Sequence, residues 1–388
     1  MAGQIEASGQ NELSKQTAVD VQAQGALAPR GSGGVPAENW WEDINVYDFE
    51  LPRRLIAQEP MPNREDARLM VVRRRRGTIA HHRVRDLPKI LRPGDCLVFN
   101  DSKVIPARLV GFRTATGGRW QGLFLREEPG GFWRVLGKTR GKLRYGETLT
   151  LLDLEGREDV RLSVGVRDVD GTWIVRPESN EPVEKILERV GRVPIPPYIR
   201  DGQMIESDRE RYQTVYARRP GSVAAPTAGL HFTHRLLAEL RETGIELCWV
   251  TLHIGLGTFK PIESQHISQH KMHAEWGEID EVTVEKILAC RQRGGRVVAV
   301  GSTSLRILET AAREGELKPF RGETNLFIRP PFEFKIADGL FTNFHLPRST
   351  LLVLVYTFGG FELMRRAYQE AIREEYRFYS YGDAMLIL

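Results

Sequence analysis

Apolar positions recur along this chain in two rhythms, and the place where the rhythm changes marks its architecture. RLMVVRRRRGTIAHHRV reads as two strands joined at Gly77, Leu87 to Leu91 as a short helix, and the Pro93-Gly94 turn leads into the strand CLVFN. Just upstream, YDFELPRRLIAQEP combines aromatics and a Pro-bounded turn with a short amphipathic helix around Arg53 to Gln58. From Arg108 to Pro177 the segments become short and alternating (ARLVGFRTA, RWQGLFLRE, FWRVLGK, ETLTLLD, VRLSVGV, TWIVRP), separated by TGG, EPGG, EG and DVDG. Regular short strands between Gly-rich turns predict an antiparallel barrel or sandwich. Because α/β-type sequence flanks it, it reads as a β-barrel inserted into a larger domain, with VPIPPYIR as a stiff return.

After Ser222 strands and helices alternate. Thr233 is placed to cap a helix carrying Leu236, Leu237 and Leu240 that ends at Gly244, and the strand ELCWVTL follows. A helix from Val282 to Arg293 stops at Gly294-Gly295, before the strand RVVAVG and a helix opened by Ser302, Thr303 and Ser304. GLFTNF is a further strand, STLLVLVYTF a buried helix and ELMRRAYQEAIREEY an amphipathic one. Such alternation implies a largely parallel sheet covered on both faces. The fold class is therefore α/β: a large domain on a mixed or parallel sheet, with a small antiparallel β-barrel inserted. The expected division is 44–106 with 178–388 as the discontinuous α/β domain and 107–177 as the barrel. Residues 1–43 are expected to be a disordered extension, since Gly, Ala, Gln and Ser without hydrophobic periodicity cannot bury enough surface to offset chain entropy.

Composition adds bounds. With 388 residues, 41% apolar and 27% charged, the chain can bury a sizeable core. The net charge of +4 is unevenly spread, with Arg73, Arg74, Arg75 and Arg76 in one run and Arg83, Arg85 and Lys89 soon after. Such a patch suits a nucleic-acid backbone, although a solvated loop would look the same. Three scattered cysteines, Cys96, Cys248 and Cys290, form no CxxC pair, so neither a disulfide framework nor a structural zinc site is indicated and a reducing, cytoplasmic setting is expected. No apolar run approaches the roughly 18 residues needed to span a bilayer.

The densest chemistry lies between Ser222 and Glu275, which holds six of the nine histidines: His231, His234, His253, His266, His270 and His273. Imidazole changes charge most readily near neutral pH, and the stretch is further populated by glycines and the hydroxyls of Thr227, Thr251 and Thr258. On a helix, the spacing of His266, His270 and His273 would bring three imidazoles near one face and could hold zinc, although no HEXXH pattern is present. AVGSTS ends a strand and opens a helix, a place for a carboxylate or phosphate, or simply for an N-cap serine. FNDSKVIPARL and TNFHLPRST likewise put polar clusters (Asn100, Asp101, Lys103, Arg108; Asn343, His345, Arg348, Ser349) just beyond predicted strands, where α/β sheets bind ligands.

FNDSKVIPARLVG, RYQTVYARRPGSVAAPTAGLHFT, TLHIGLGTFKPI, HKMHAE, TNFHLPRSTLLVLV and YRFYSYGDAMLIL together resemble the S-adenosylmethionine:tRNA ribosyltransferase-isomerases of queuosine biosynthesis. The resemblance runs from Ile44 to Leu388; Ser102 and Ser302 stand where many members carry Thr, keeping the hydroxyl. It implies transfer and isomerisation of the ribosyl group of S-adenosylmethionine onto 7-aminomethyl-7-deazaguanine at the tRNA wobble position, releasing adenine and methionine. It also implies an α/β domain interrupted by a barrel. S-adenosylmethionine is then a co-substrate, tRNA the macromolecular partner, and a monomer without membrane association is expected. No metal is expected, because the sulfonium is already a charged leaving group. Acid and base roles are expected among His231, His253, His273 and Glu275, with Asp101 as a further candidate. Thr303 and Arg306 are candidates for the methionine carboxylate, and Asn100, Arg108, Thr227, Thr258, Lys260, Asn343 and His345 for further substrate contacts. Arg73 to Arg76, Arg83 and Arg85 are candidates for the tRNA backbone. Two other readings compete: a zinc-dependent hydrolase using His266, His270 and His273, and a non-catalytic RNA-binding module built on the barrel. Against the second, the polar density lies mostly outside the barrel and no RNP-type aromatic pattern is present.

Overall fold

The computed structural model describes residues 39–255 and 262–388; the expected N-terminal extension falls almost entirely outside them. The main sheet has nine strands in the order Phe320–Thr324, Glu275–Ile279, Glu246–Leu252, Cys96–Asn100, Val297–Val300, Gly339–Asn343, Ala384–Ile387, Arg68–Arg73 and Thr78–Arg83. The four from Glu246–Leu252 to Gly339–Asn343 run parallel. Ala384–Ile387 returns antiparallel to Gly339–Asn343, so the sheet is mixed. The parallel strands read as near-continuous apolar runs because both faces are covered. In Cys96–Asn100 every residue is buried, with Cys96 and Val98 in the core of one face and Leu97 and Phe99 in that of the other. Period-2 alternation thus divides one strand between two cores.

The helices follow their caps. The Thr233 hydroxyl accepts from the Leu236 amide at 3.0 Å and starts the helix His234–Glu242; Gly244, at φ 79°, ends its last turn. Asp280 caps Glu281–Gln292 through the Thr283 amide at 2.8 Å, and Ser349 caps Thr350–Gly359. The helix expected around Arg53 to Gln58 is only the 3-10 turn Arg53–Leu55, since Pro52 supplies no side-chain cap and the chain turns extended at Ile56.

The strands Arg108–Arg113, Arg119–Glu128, Phe132–Thr139, Trp173–Pro177, Glu158–Arg167 and Thr148–Leu152 pair in that order. The first also pairs with the last, which closes an antiparallel barrel. Gly191–Arg192 adds a short strand to Arg108–Arg113. Trp120, Trp133, Leu149 and Leu162 fill the interior, so the barrel is a packed core with no channel.

Candidate active site

The four parallel strands end together, and that edge collects the polar residues. Asn100, Leu252, Val300 and Asn343 are their last residues, the position at which open α/β sheets bind ligands. A cavity of about 690 Å³, counting its open mouth, is lined there by Thr227, Thr303, Asn343, His345, Tyr379 and Ser380, among others.

Its floor is a hydrogen-bonded unit. The Asn343 amide donates to His231 Nε2 at 3.1 Å and to the Tyr379 carbonyl at 3.1 Å, and Asn343 Oδ1 accepts from the Thr227 hydroxyl at 3.1 Å. His231 is buried, and loss of solvation, helped by the nearby Arg64 and Arg377 charges, pushes its pKa down to about 3. His345 Nε2 meets the Thr342 hydroxyl at 2.8 Å, and burial pushes its pKa down to about 3 as well. Both imidazoles are neutral at physiological pH.

One wall is the start of the helix Ser302–Ala311. Gly301 turns the chain into it at φ 91°, a conformation that side-chain-bearing residues rarely adopt. The Thr303 hydroxyl at that helix start is buried and has no hydrogen-bond partner among the described residues. A buried unpaired hydroxyl costs free energy unless a ligand satisfies it, and the helix dipole favours an anion there.

Arg306, one turn further, faces a neighbouring cleft of about 460 Å³, counting its open mouth, with His270, His273 and Glu275. Its Nη1 pairs with Glu275 Oε2, while Nε and Nη2 reach the carbonyls of Leu326 and Thr324 at 3.2 and 3.4 Å. Glu275 Oε1 also accepts from the Gly255 amide at 2.7 Å. Both side chains are nearly inaccessible, at 6% and 5%. Arg306 is thus tied to protein oxygens, away from Thr303's cavity.

The remaining candidates separate. Asn100 is fully buried and staples strands, donating to the Leu252 carbonyl at 2.9 Å and accepting from the Leu252 and Ser102 amides at 3.0 and 3.1 Å. Asp101, 2% exposed, accepts from the Thr251 hydroxyl at 2.7 Å and from Arg218 at 2.8 Å. His253 stacks on Trp276, with ring centroids 5.2 Å apart, and its Nδ1 has no partner among the described residues; burial lowers its pKa. Arg108 lies on the first barrel strand, 3.4 Å from Gln121, and lines neither cavity. Thr258 and Lys260 lie outside the described residues.

The histidine triad does not form. Ile267–Gln269 is a single 3-10 turn flanked by extended His266 and His270, so the spacing never lies on a helix. Among the described residues, no group of three or more His, Cys, Asp or Glu could hold a metal ion. The arginine run is also divided. Arg74 to Arg76 form the turn between Arg68–Arg73 and Thr78–Arg83, and Arg74 reaches the carbonyls of Asp338 and Phe358. Asp338 immediately precedes the strand Gly339–Asn343, so this turn sits on the sheet edge opposite the cavity. Arg83 and Arg85 are at the other end of Thr78–Arg83, on the cavity's edge.

Sequence reasoning passed over Tyr198, Tyr379 and Ser380, although they stand in VPIPPYIR and YRFYSYGDAMLIL. Tyr198 hydroxyl and Ser380 Oγ are 2.7 Å apart, and Tyr379 adopts φ 71°. No local pattern announces that backbone twist, and the Tyr379 carbonyl accepts from Asn343.

With this geometry in place, the comparisons with known proteins agree. The model of the queuosine biosynthesis protein family matches residues 44–387. An S-adenosylmethionine:tRNA ribosyltransferase-isomerase of Thermus thermophilus is 52% identical over 352 residues, covering 89% of this chain and 100% of the relative. One from Halothermothrix orenii is 46% identical over 348 residues, covering 89% and 99%. The crystal structure of S-adenosylmethionine tRNA ribosyltransferase from Thermotoga maritima is 37% identical with a TM-score of 0.51, covering 88% of this chain and 100% of that one. Both a family model over most of the chain and full-length relatives agree on one assignment: the chain belongs to the queuosine biosynthesis protein family.

Proposed function

We propose that this chain is an S-adenosylmethionine:tRNA ribosyltransferase-isomerase, moving the ribosyl group of S-adenosylmethionine onto 7-aminomethyl-7-deazaguanine in tRNA. The carrying observation is the cavity at the carboxyl edge of the parallel strands, which brings Thr227, Thr303, Asn343 and His345 together from separate motifs. In this reading the helix start at Ser302 and Thr303 receives the methionine carboxylate. The reaction then needs a base for the proton beside the sulfonium, an acid for departing adenine and an acceptor for the aminomethyl proton. His253 suits proton acceptance best, being neutral with Nδ1 unpartnered among the described residues. His231 and Glu275 act instead as positioning residues, the first holding Asn343 and the second holding Arg306 and Gly255. The division into 44–106 with 178–388 as the catalytic part and 107–177 as an inserted barrel belongs to the same reading.

The sulfonium supplies its own positive charge, so the reading also expects chelation to leave the rate unchanged. The decisive experiment incubates the protein with S-adenosylmethionine and tRNA carrying 7-aminomethyl-7-deazaguanine and follows adenine. Adenine released only when both substrates are present is the expected result. Tight tRNA binding without adenine release would sink the proposal.

A further inference from the structure

A third space, a cleft of about 570 Å³ counting its open mouth, lies beside the strand Glu246–Leu252, lined by Asp101, Arg218, Arg219, Trp249, Glu278 and Asp280, among others. Trp249 packs against Phe99, with ring centroids 5.1 Å apart and planes 29° from parallel. The Arg218 guanidinium carbon lies over the same Trp249 ring at 5.6 Å. Arg218 Nε and Nη2 both donate to Asp101 Oδ2, at 3.1 and 2.8 Å, so a buried carboxylate fixes the plane of the guanidinium. Yet the Arg218 side chain is 61% exposed. The result is a guanidinium held by two hydrogen bonds over an aromatic pair and open to solvent, the kind of surface on which RNA-binding proteins stack an unpaired base.

The charges around that plane do not suit a bare phosphate. Arg218 is matched by Asp101, Arg219 by Glu278, and Lys286 is drawn to Glu246 at 3.0 Å. Asp280 is left over; it caps the helix Glu281–Gln292, and the Thr283 hydrogen bonds and nearby arginines hold its carboxyl below the usual range. A guanidinium plane beside Asp280, a carboxylate with no ion-pair partner among the described residues, fits a purine that carries a cation.

The cleft also adjoins the cavity assigned above to S-adenosylmethionine. One strap supplies Arg218 and Arg219 to the cleft and Ala224 to Ala228 to the cavity. Ile254 of the cavity follows Thr251 of the cleft by three residues, roughly 10 Å of extended chain, and its amide donates to Ser222 of the strap at 3.0 Å. Gly221 of the strap sits against His253, where an added Cβ would come 3.0 Å from the ring, so the strap packs closely on the segment that joins Thr251 to Ile254.

We infer that this cleft seats the aminomethylated wobble base, flipped out of the anticodon loop, with its plane on Arg218 and its ammonium towards Asp280. This rests on the ribosyl-transfer reading, and it assigns Asp101 to holding Arg218 in place. The test measures dissociation constants of full-length tRNA bearing either 7-aminomethyl-7-deazaguanine or guanine at the wobble position, over a salt series, for wild type, Arg218→Lys, Arg218→Met and Asp280→Asn. Arg218→Lys keeps the charge and loses the plane. Affinity for the modified tRNA should fall roughly fivefold or more, the scale of a lost stacking contact, with the salt slope unchanged. Asp280→Asn keeps the helix cap and should narrow the preference for modified over unmodified tRNA. S-adenosylmethionine affinity should not move in any variant. Arg218→Met, which removes the charge as well, should leave the salt slope where Arg218→Lys leaves it; a slope shallower by about one would make Arg218 a phosphate contact and overturn the inference, as would no loss of affinity in Arg218→Lys. Absence of adenine release by the wild type would instead sink the ribosyl-transfer reading, while the tRNA preferences still decide the base site.

Discussion

Asn343 and His231 are joined by a hydrogen bond of 3.1 Å from the side-chain amide to Nε2. Because Nε2 accepts, its lone pair is engaged and any proton on the ring sits at Nδ1. The same Asn343 side chain holds the Thr227 hydroxyl and the Tyr379 carbonyl, so one residue joins the strand Gly339–Asn343 to two loops that wall the cavity. Asn343→Ala removes the partner of His231 Nε2 and the Tyr379 carbonyl, both buried, and of the half-buried Thr227 hydroxyl. The expected loss is on the order of 2 kcal/mol in stability, read by urea unfolding, together with a lower affinity for S-adenosylmethionine. Unchanged stability would show that these bonds are replaced by water.

His231 and His345 make the fold sensitive to acid. Each has a pKa near 3, against an ordinary value of 6.5. Between those values the unfolded chain binds more protons than the folded one, so stability rises with pH across this window. It is fully present above about pH 6.5 and is lost as pH falls towards 3. By pH 5 the loss is on the order of 2 kcal/mol per histidine. Unfolding titrations between pH 7.5 and 5 should show this slope, and His345→Gln should flatten it by about one proton's worth. An identical slope in the variant would refute the assignment.

Much of this is legible in the chain. The barrel is, because Gly-rich turns between alternating segments fix short antiparallel strands whatever surrounds them. The carboxyl-edge cluster is also legible, since FNDS, AVGSTS and TNFHLP each follow an apolar strand. What a linear reading misses is the assignment of partners. His266, His270 and His273 have helical spacing, but spacing says nothing unless the helix exists. Arg306 reads as a ligand contact from its place on the helix, yet its neighbours at Glu275, Thr324 and Leu326 are far away in sequence. Arg73 to Arg85 looks like one patch, and a six-residue strand carries its two ends to opposite edges of the sheet.

Glu275 and Arg306 should behave as a coupled pair. Removing either alone leaves its partner buried and uncompensated, a cost of about 3 to 5 kcal/mol. The double substitution Glu275→Gln/Arg306→Met should cost clearly less than the sum of Glu275→Gln and Arg306→Met. Additive losses would show that the two side chains do not depend on each other, and would return Glu275 to the acid and base candidates and Arg306 to the substrate contacts.

Thr303 should behave differently, because its hydroxyl has no partner among the described residues. Thr303→Val removes the polar atom and keeps the shape. The expected result is a KM for S-adenosylmethionine raised roughly fivefold, equivalent to about 1 kcal/mol for one hydrogen bond, with unfolding unchanged or slightly delayed. A KM equal to wild type would take the helix start out of the binding site.

The two halves of the arginine run give the last test. A tRNA that delivers its wobble base to the carboxyl edge of the sheet approaches the end of the strand Thr78–Arg83, where Arg83 and Arg85 lie. Arg68, His81 and His82 border the same open groove as these two arginines. Arg75 and Arg76 are exposed on the opposite edge. Each phosphate contact removed should lower the slope of log affinity against log salt by about one. Arg83→Ala and Arg85→Ala should therefore each flatten the salt dependence of tRNA binding, and Arg75→Ala/Arg76→Ala should leave it as in the wild type. Arg85 is paired with Asp66 at 2.7 Å, so its contribution should be the smaller of the first two. A flatter slope from the Arg75 and Arg76 change alone would mean that the tRNA body wraps around to the far edge, and would move the interface there.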